Sequence, residues 1–373
     1  MTDFSTESDF PTEIDAIRAR LAAIAPSRYG TTRNFLDGAV TRLSPYLTHG
    51  VLTLPDVRDA AYAKAGKRAS YKLVFELAWR EYFQRVWWEK GEGIFTDINR
   101  AQEPVRERAA LPAAILDATT GIDAIDNSIR SLYETGYVHN HARMWTAMLA
   151  ANVAQVHWKP LASWYYYHLL DGDLASNTLS WQWVAGTFSS KKYVANQDNI
   201  NKFEPNHRQH GTFLDATYEE LTQLSVPRAL QETRPTELPC TLPVSDKLTI
   251  APGSQVLLYS PWSLNPTWRA GETATRVLVL EPSHFKRFPI SPKRMAFVLA
   301  LAKNIPGLKI FVGEVSTLPG LEDAAEVRSQ AYPTTSHWPG IKDAPIWLFP
   351  QWPDSKAIPG SFMSFWKSAE RWL

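Results

Sequence analysis

Four prolines, Pro227, Pro235, Pro239 and Pro243, fall within residues 216–247 and split the 373-residue chain into stretches of different periodicity. Proline fixes φ and has no N–H, so helices do not propagate through it; the stretch reads as an interdomain linker with at most one short helix. Before it, from residue 13 to about 203, the pattern is helical. Ile14, Ile17, Leu21 and Ile24 recur on one helix face until Pro26 ends the run. Further helices are expected over residues 51–65, 71–89, 121–133, 138–156 and 161–170, with Pro55 and Pro160 where a first turn tolerates them. After the prolines, the apolar runs 255–259, 277–280, 309–312 and 346–349 read as strands and residues 292–302 as a helix. That order points to an α/β layer with a parallel sheet. The expected fold class is multi-domain, α plus α/β. An all-helical domain over 1–215 is followed by a Pro-containing linker over 216–247 and a smaller α/β domain over 248–373. The length is sufficient for two buried cores.

Charge excludes one class of function. Lys and Arg total 39 against 38 Asp and Glu, so a histone-like polyanion binder is ruled out, though a local basic groove is not. A single cysteine, Cys240, excludes an intrachain disulfide framework and any Cys-rich metal or iron–sulfur site. Residues 1–11 are acidic and polar without a signal-peptide core, and no apolar run approaches a membrane span. A cytoplasmic protein with no membrane partner is expected. The 15 Trp are unusual, because an indole is bulky and its N–H needs a partner. Their positions matter more than their number.

Four segments carry the chemistry. Thr41-Arg42-Leu43-Ser44-Pro45-Tyr46-Leu47 follows Tyr29 and Arg33 and places hydroxyls at a loop-to-helix junction. Such junctions hold phosphates, and they equally serve as ordinary helix N-caps. In the second segment, Glu76, Trp79, Arg80 and Phe83 share one helical face. A carboxylate and a guanidinium there need each other or a ligand. The third segment, residues 135–145, puts Asn140, Arg143 and Met144 on one face. His139 and His141 lie on different sides, so packed histidines are expected rather than a metal pair. The fourth is Asp171-Gly172-Asp173-Leu174-Ala175-Ser176-Asn177, followed by Trp181 and Trp183. Two carboxylates around a glycine can grip ribose, ring N–H groups or a cation. Without a third carboxylate at loop spacing, calcium is not expected, and no metal is assigned. The two tryptophans fit a core equally well.

Taken together and in this order, the segments resemble the FAD-binding domain of the photolyase/cryptochrome family, over roughly residues 28–203. The resemblance implies that Tyr29 and Val40, Thr41, Arg42, Leu43 and Ser44 contact the FAD diphosphate and ribityl chain. Asp171, Gly172 and Asp173 would line the flavin and adenine side, with Arg80 and Asn140 in the same cofactor set. Arg143 would pair with Asp171 beside the flavin ring, and Asn177 would face its N5. Glu76, Trp79, Asn140, His141, Met144 and Trp183 match positions around a flipped pyrimidine dimer, a mode of action for which photolyases are a standing example. Lys191, Lys192, Arg106 and Arg108 are candidates for phosphate contact. Of the family's tryptophan relay, Trp181 matches the member nearest the flavin and Trp158 the middle one. Val105 stands at the outer position, so photoreduction would end elsewhere, with Trp87, Trp88 and Trp145 as candidates.

The family begins with an α/β antenna domain, whereas this chain begins almost directly with the helical domain. Residues 256–266, 277–282, 291–294 and 361–366 resemble pieces of that antenna domain, which implies an antenna-like, Rossmann-like unit moved to the C-terminus. Such a unit allows a second, antenna chromophore of unassigned identity; an unrelated α/β module is the alternative. The resemblance implies light-driven splitting of cyclobutane pyrimidine dimers in damaged DNA by reduced FAD. A cryptochrome-like photoreceptor, signalling to a protein partner through flavin photoreduction, is the alternative, and a flavin-free binding module is a third. The (6-4) photoproduct is disfavoured, because its repair enzymes place two adjacent histidines where His139-Asn140 stand here.

Overall fold

The computed structural model describes residues 10–353 and 355–373, so most of the acidic N-terminal segment lies outside the described residues. Short helices α1 (Ile14–Ala22), α2 (Pro26–Thr32) and α3 (Ser44–Thr48) lead into α4 (Leu54–Lys90). Next come strand β1 (Leu111–Pro112) and helices α5 (Ala113–Leu116), α6 (Asp123–Thr135) and α7 (Asn140–Met148). A π turn over Leu149–Val153 precedes α8 (Trp158–His168), α9 (Leu174–Ala185) and α10 (Gln197–Phe203). The Pro-containing stretch holds α11 (Tyr218–Gln223) and β2 (Thr233–Arg234), which pairs antiparallel with β1.

The two helices expected at 51–65 and 71–89 are one run in α4, broken at Gly66, whose φ of 73° and ψ of 167° are not helical. Thr53 starts the run with a capping box closed by Asp56. The Ser70 hydroxyl donates to the Ala61 carbonyl across the break at 2.8 Å. Only glycine adopts the Gly66 backbone without strain. Gly66→Ala is therefore expected to lower stability by about 1–3 kcal/mol in urea unfolding, although the position is exposed.

The C-terminal part holds β3 (Gln255–Tyr259), β4 (Thr275–Leu280), α12 (Pro282–Arg287), α13 (Pro292–Ala302), β5 (Lys309–Val312), β6 (Glu326–Gln330), β7 (Ile341–Asp343) and α14 (Phe362–Ala369). The sheet is wholly parallel in the order β5-β4-β3-β6-β7. Strand order reverses at β3, so a crevice opens beyond the carboxyl ends of β3 and β6. Successive residues face opposite sides of the sheet. Leu257, Tyr259, Leu278 and Leu280 join an apolar core that also contains Phe10, Ile17, Leu77, Tyr82 and Phe365. Val256, Leu258, Val277 and Val279 pack on the other side with Ile250 and Trp338. The first of these cores runs unbroken from the N-terminal helices through the sheet to α14. The outer edge of β5 is covered by the end of the Pro-containing stretch: Val312 N–H donates to Ser245 Oγ at 2.6 Å and Ile310 N–H to Asp246 at 2.8 Å.

The strand expected at 346–349 does not form. The Leu348 and Phe349 amides donate instead to the buried Glu81 carboxylate on α4, so the backbone donors a strand would need are already used. Strand β6 escaped the pattern because Glu326, Arg328 and Gln330 alternate with only Val327 and Ser329 between them, and β7 because Ile341 is its single apolar residue.

Candidate cofactor site

The acidic turn Asp171-Gly172-Asp173 joins α8 to α9, and each residue has a separate task. Asp171 is nearly sealed from solvent. It accepts from Arg143 Nη2 at 2.8 and 3.0 Å and from Ser44 Oγ at 2.5 Å. Arg143 is held in turn by the Val138 carbonyl, 2.8 Å from its Nε. Burial pushes the Asp171 carboxyl up, but the Arg143 charge and the bonds from Arg143 and Ser44 outweigh it and hold the group below its ordinary value. Asp173 caps α9 through the Ser176 amide at 2.7 Å. It also accepts from Gln84 at 2.5 Å and from the Tyr332 hydroxyl at 3.1 Å, with Arg80 4.0 Å away. The Arg80 guanidinium donates to Thr48 Oγ1 at 2.8 Å.

Gly172 is required by packing. A Cβ there would lie 2.5 Å from Arg294 Nη1 and 2.8 Å from the Tyr166 carbonyl. Arg294, buried on α13, donates to the Tyr166 and Gly172 carbonyls and so bolts the C-terminal part to the acidic turn. Gly172→Ala should displace that guanidinium and cost about 1–3 kcal/mol by overpacking; thermal unfolding of the variant against wild type checks it.

The segment from Val40 to Ser44 approaches from the other side. Arg42 adopts a left-handed φ of 53°, Leu43 N–H donates to Thr41 Oγ1 at 3.4 Å, and Ser44 opens α3. Val40 and Arg42 line a cavity of about 460 Å³ together with Tyr137, Ser128, His139 and Glu204. The His139 Nε2 atom is buried without a hydrogen-bond partner. Tyr29, on α2, has its phenol pushed up by burial. Asn177 on α9 donates its amide N–H to the Ala162 carbonyl at 2.8 Å, which leaves the amide oxygen as the end not held by α8.

The residues matched to a lesion pocket do not gather equally. Glu76 pairs with Arg33 at 3.2 Å, and burial pushes its carboxyl up. Trp79 lies in the core shared with the C-terminal part, where Phe362 stacks on it at 3.7 Å and 15°. Trp183 packs in a different cluster, against Tyr193 at 6.0 Å. Asn140 is exposed at the start of α7, and Met144 is half-buried. His141 packs between Trp145 and Phe203 and bonds the Asn34 carbonyl at 2.7 Å. Trp181 is buried against Tyr165, and the Trp158 indole donates to Asp97 at 2.6 Å. Of the basic candidates, Arg106 is spent on the Ala154, Leu230 and Gln231 carbonyls, and Lys192 on that of Glu103. Arg108 and Lys191 are exposed.

Gln84, Arg294 and Tyr332 were not foreseen. Gln84 lies one turn past Arg80 on α4, a spacing that could have flagged it. Arg294 and Tyr332 reach the turn from more than a hundred residues away, and nothing local announces them.

Fold and geometry define an α plus α/β chain whose helical part carries a buried ion pair beside a polar cavity. Residues 73–243 match the family model of the FAD binding domain of DNA photolyase. That stretch contains the second, third and fourth segments; Tyr29 and residues 40–44 precede it. The deoxyribodipyrimidine photo-lyase of Streptomyces griseus is 33% identical over 149 residues, covering 40% of this chain and 32% of the relative. The chloroplastic/mitochondrial cryptochrome DASH of Ostreococcus tauri is 30% identical over 206 residues, covering 52% of this chain and 37% of the relative. A solved cryptochrome from Synechocystis gives a TM-score of 0.49 at 24% identity, over 62% of this chain and 51% of that one. The chain thus spans about a third of the length of these curated relatives, 32% and 37%. The resemblance to photolyases and cryptochromes read from the four segments is borne out. Among the described residues, no helix is long and apolar enough to cross a membrane.

Proposed function

We propose that the helical part binds FAD and that the protein is a photolyase acting on cyclobutane pyrimidine dimers in DNA. The carrying observation is the pair between buried Asp171 and partly buried Arg143, closed by Ser44, inside a chain that matches the FAD-domain model. The residues present fit the cofactor. A buried cation–carboxylate pair is an expensive arrangement unless it orients a polar partner. The nearby cavity carries Arg42 and a partnerless His139 nitrogen. The chemistry supplied by reduced FAD is one-electron donation under light, which opens the cyclobutane ring and takes the electron back. Around it, Ser44 and the residues from Val40 to Leu43 hold the diphosphate side, with Tyr29 and Arg80. Arg143 and Asp171 would hold the polar edge of the ring. Asn177 offers its free amide oxygen to a ring N–H, while Asp173, Gly172 and Asn140 complete the wall. Trp181 and Trp158, matched to the family's relay, would supply electrons. No general acid or base is required of the protein.

In this reading, residues 1–215 form the flavin domain and residues 216–247 a linker. Residues 248–373 form an antenna-like domain, which would take any second chromophore. The site of action is cytoplasmic. Incubating the flavin-loaded, reduced protein with dimer-containing DNA under light tests the reading. Dimer loss is expected, and intact dimers in the presence of bound reduced FAD would contradict it.

One observation favours the photoreceptor alternative. The Trp79 face that the repair reading offers to a lesion is already stacked by Phe362. In that case the flavin photoreduces without repair, and Phe362→Ala leaves dimers untouched.

A further inference from the structure

Val105 stands where the family resemblance leads one to look for an outer tryptophan, so the electron supply to the flavin needs another exit. An unbroken set of ring contacts leads from Trp181 to the surface. Trp181 meets Tyr165 edge-on at 5.3 Å between centroids, Tyr165 meets Trp164 at 5.1 Å, and Trp164 meets Tyr133 at 6.0 Å. The first three rings are buried. Tyr133, on α6, is partly buried and the most accessible ring of the set, and its hydroxyl donates to the Leu116 carbonyl at 2.8 Å. The candidates named from sequence are less suited. Trp145 and Trp87 are buried, and Trp88, though exposed, has no ring neighbour leading to Trp181.

We propose that Trp181, Tyr165, Trp164 and Tyr133 form a path, separate from Trp158, by which electrons reach the flavin from solvent; this rests on the flavin reading above. Trp181 gives up one electron under light, and Trp164 refills it through the Tyr165 ring. Tyr165 serves as a bridge and not a resting place, because its ring is fully buried, away from the water that would take the proton tyrosine sheds on oxidation. Tyr133 then gives an electron to Trp164 and releases its phenolic proton to water. The product is a neutral radical, which suits a site where the Lys293 ammonium already bonds the Tyr133 carbonyl at 2.8 Å and a cationic radical would be repelled. An external thiol returns a hydrogen atom to Tyr133, and two thiyl radicals couple to a disulfide. His168, whose ring lies 4.9 Å from Tyr133, is kept neutral by burial, its pKa lowered to about 4.

Electron paramagnetic resonance and transient absorption on the illuminated, flavin-loaded protein test the path. Wild type is expected to show a long-lived neutral tyrosyl radical. Tyr133→Phe, which keeps the ring packing, should lose that signal and leave a short-lived tryptophanyl one. Trp164→Phe should lose the tyrosyl radical, and Trp88→Phe, at an exposed ring outside the path, should retain it. A tyrosyl signal surviving in Tyr133→Phe overturns the path, as does its survival in Trp164→Phe. A yellow wild-type protein without a tyrosyl radical also overturns it and leaves the flavin reading intact. A protein that takes up no flavin overturns both.

Discussion

Arg143→Leu should destabilise the protein by about 3–5 kcal/mol at neutral pH, because it strands the Asp171 carboxylate in a site that water hardly reaches. Ser44 alone would then hold it. The variant should also reverse the acid response. In wild type the Asp171 carboxyl lies below its ordinary value when folded, so its contribution is complete above the unfolded value and fades as pH falls through the folded one. In Arg143→Leu, burial without the guanidinium raises the folded value above the unfolded one. Stability should then improve as pH falls towards mildly acidic conditions, where the carboxyl takes up a proton. Urea unfolding of both proteins at neutral and mildly acidic pH checks magnitude and sign together. Equal losses at both would show that the pair is not what holds the turn.

Glu81→Leu is the second large effect. Glu81 is fully buried on α4, 2.8 Å from Arg85 Nε, and receives the Leu348 and Phe349 amides. Burial raises its carboxyl, while Arg85 and the two amides oppose that rise. Removing it leaves a buried guanidinium and two amides without an acceptor, a loss of about 3–5 kcal/mol. Arg85 keeps only the Phe349 carbonyl at 3.0 Å and the face of Trp347. The damage should concentrate where α4 meets the C-terminal part. Amide exchange at Leu348 and Phe349 is expected to accelerate far more than exchange within α9, and uniform acceleration would argue against a local anchor.

These two residues also show what the sequence could and could not reveal. The helical periodicity of residues 13–203 and the apolar runs at 255–259, 277–280 and 309–312 correspond to elements of the fold, because one-sided burial writes its period into the chain. The Asp171–Arg143 contact was readable only through resemblance, since spacing alone cannot bring α7 to a turn beyond α8. Glu81 gave no sign of its role. Besides Arg85 one turn on, its partners are amides more than 260 residues away, and backbone donors have no residue identity to read. The same blindness produced the false strand at 346–349, where apolar residues are buried by docking on α4 and not by pairing. The match of Trp79 to a lesion pocket overlooked Phe362, because stacking between distant aromatics leaves no local pattern.

The most direct test is the absorption spectrum of the purified protein, with released flavin quantified for wild type and Asp171→Ala. The account predicts an equimolar flavin in wild type and its loss in a variant that still folds. A wild-type chain that stays colourless when offered FAD, or an Asp171→Ala chain that binds it undiminished, would contradict the account.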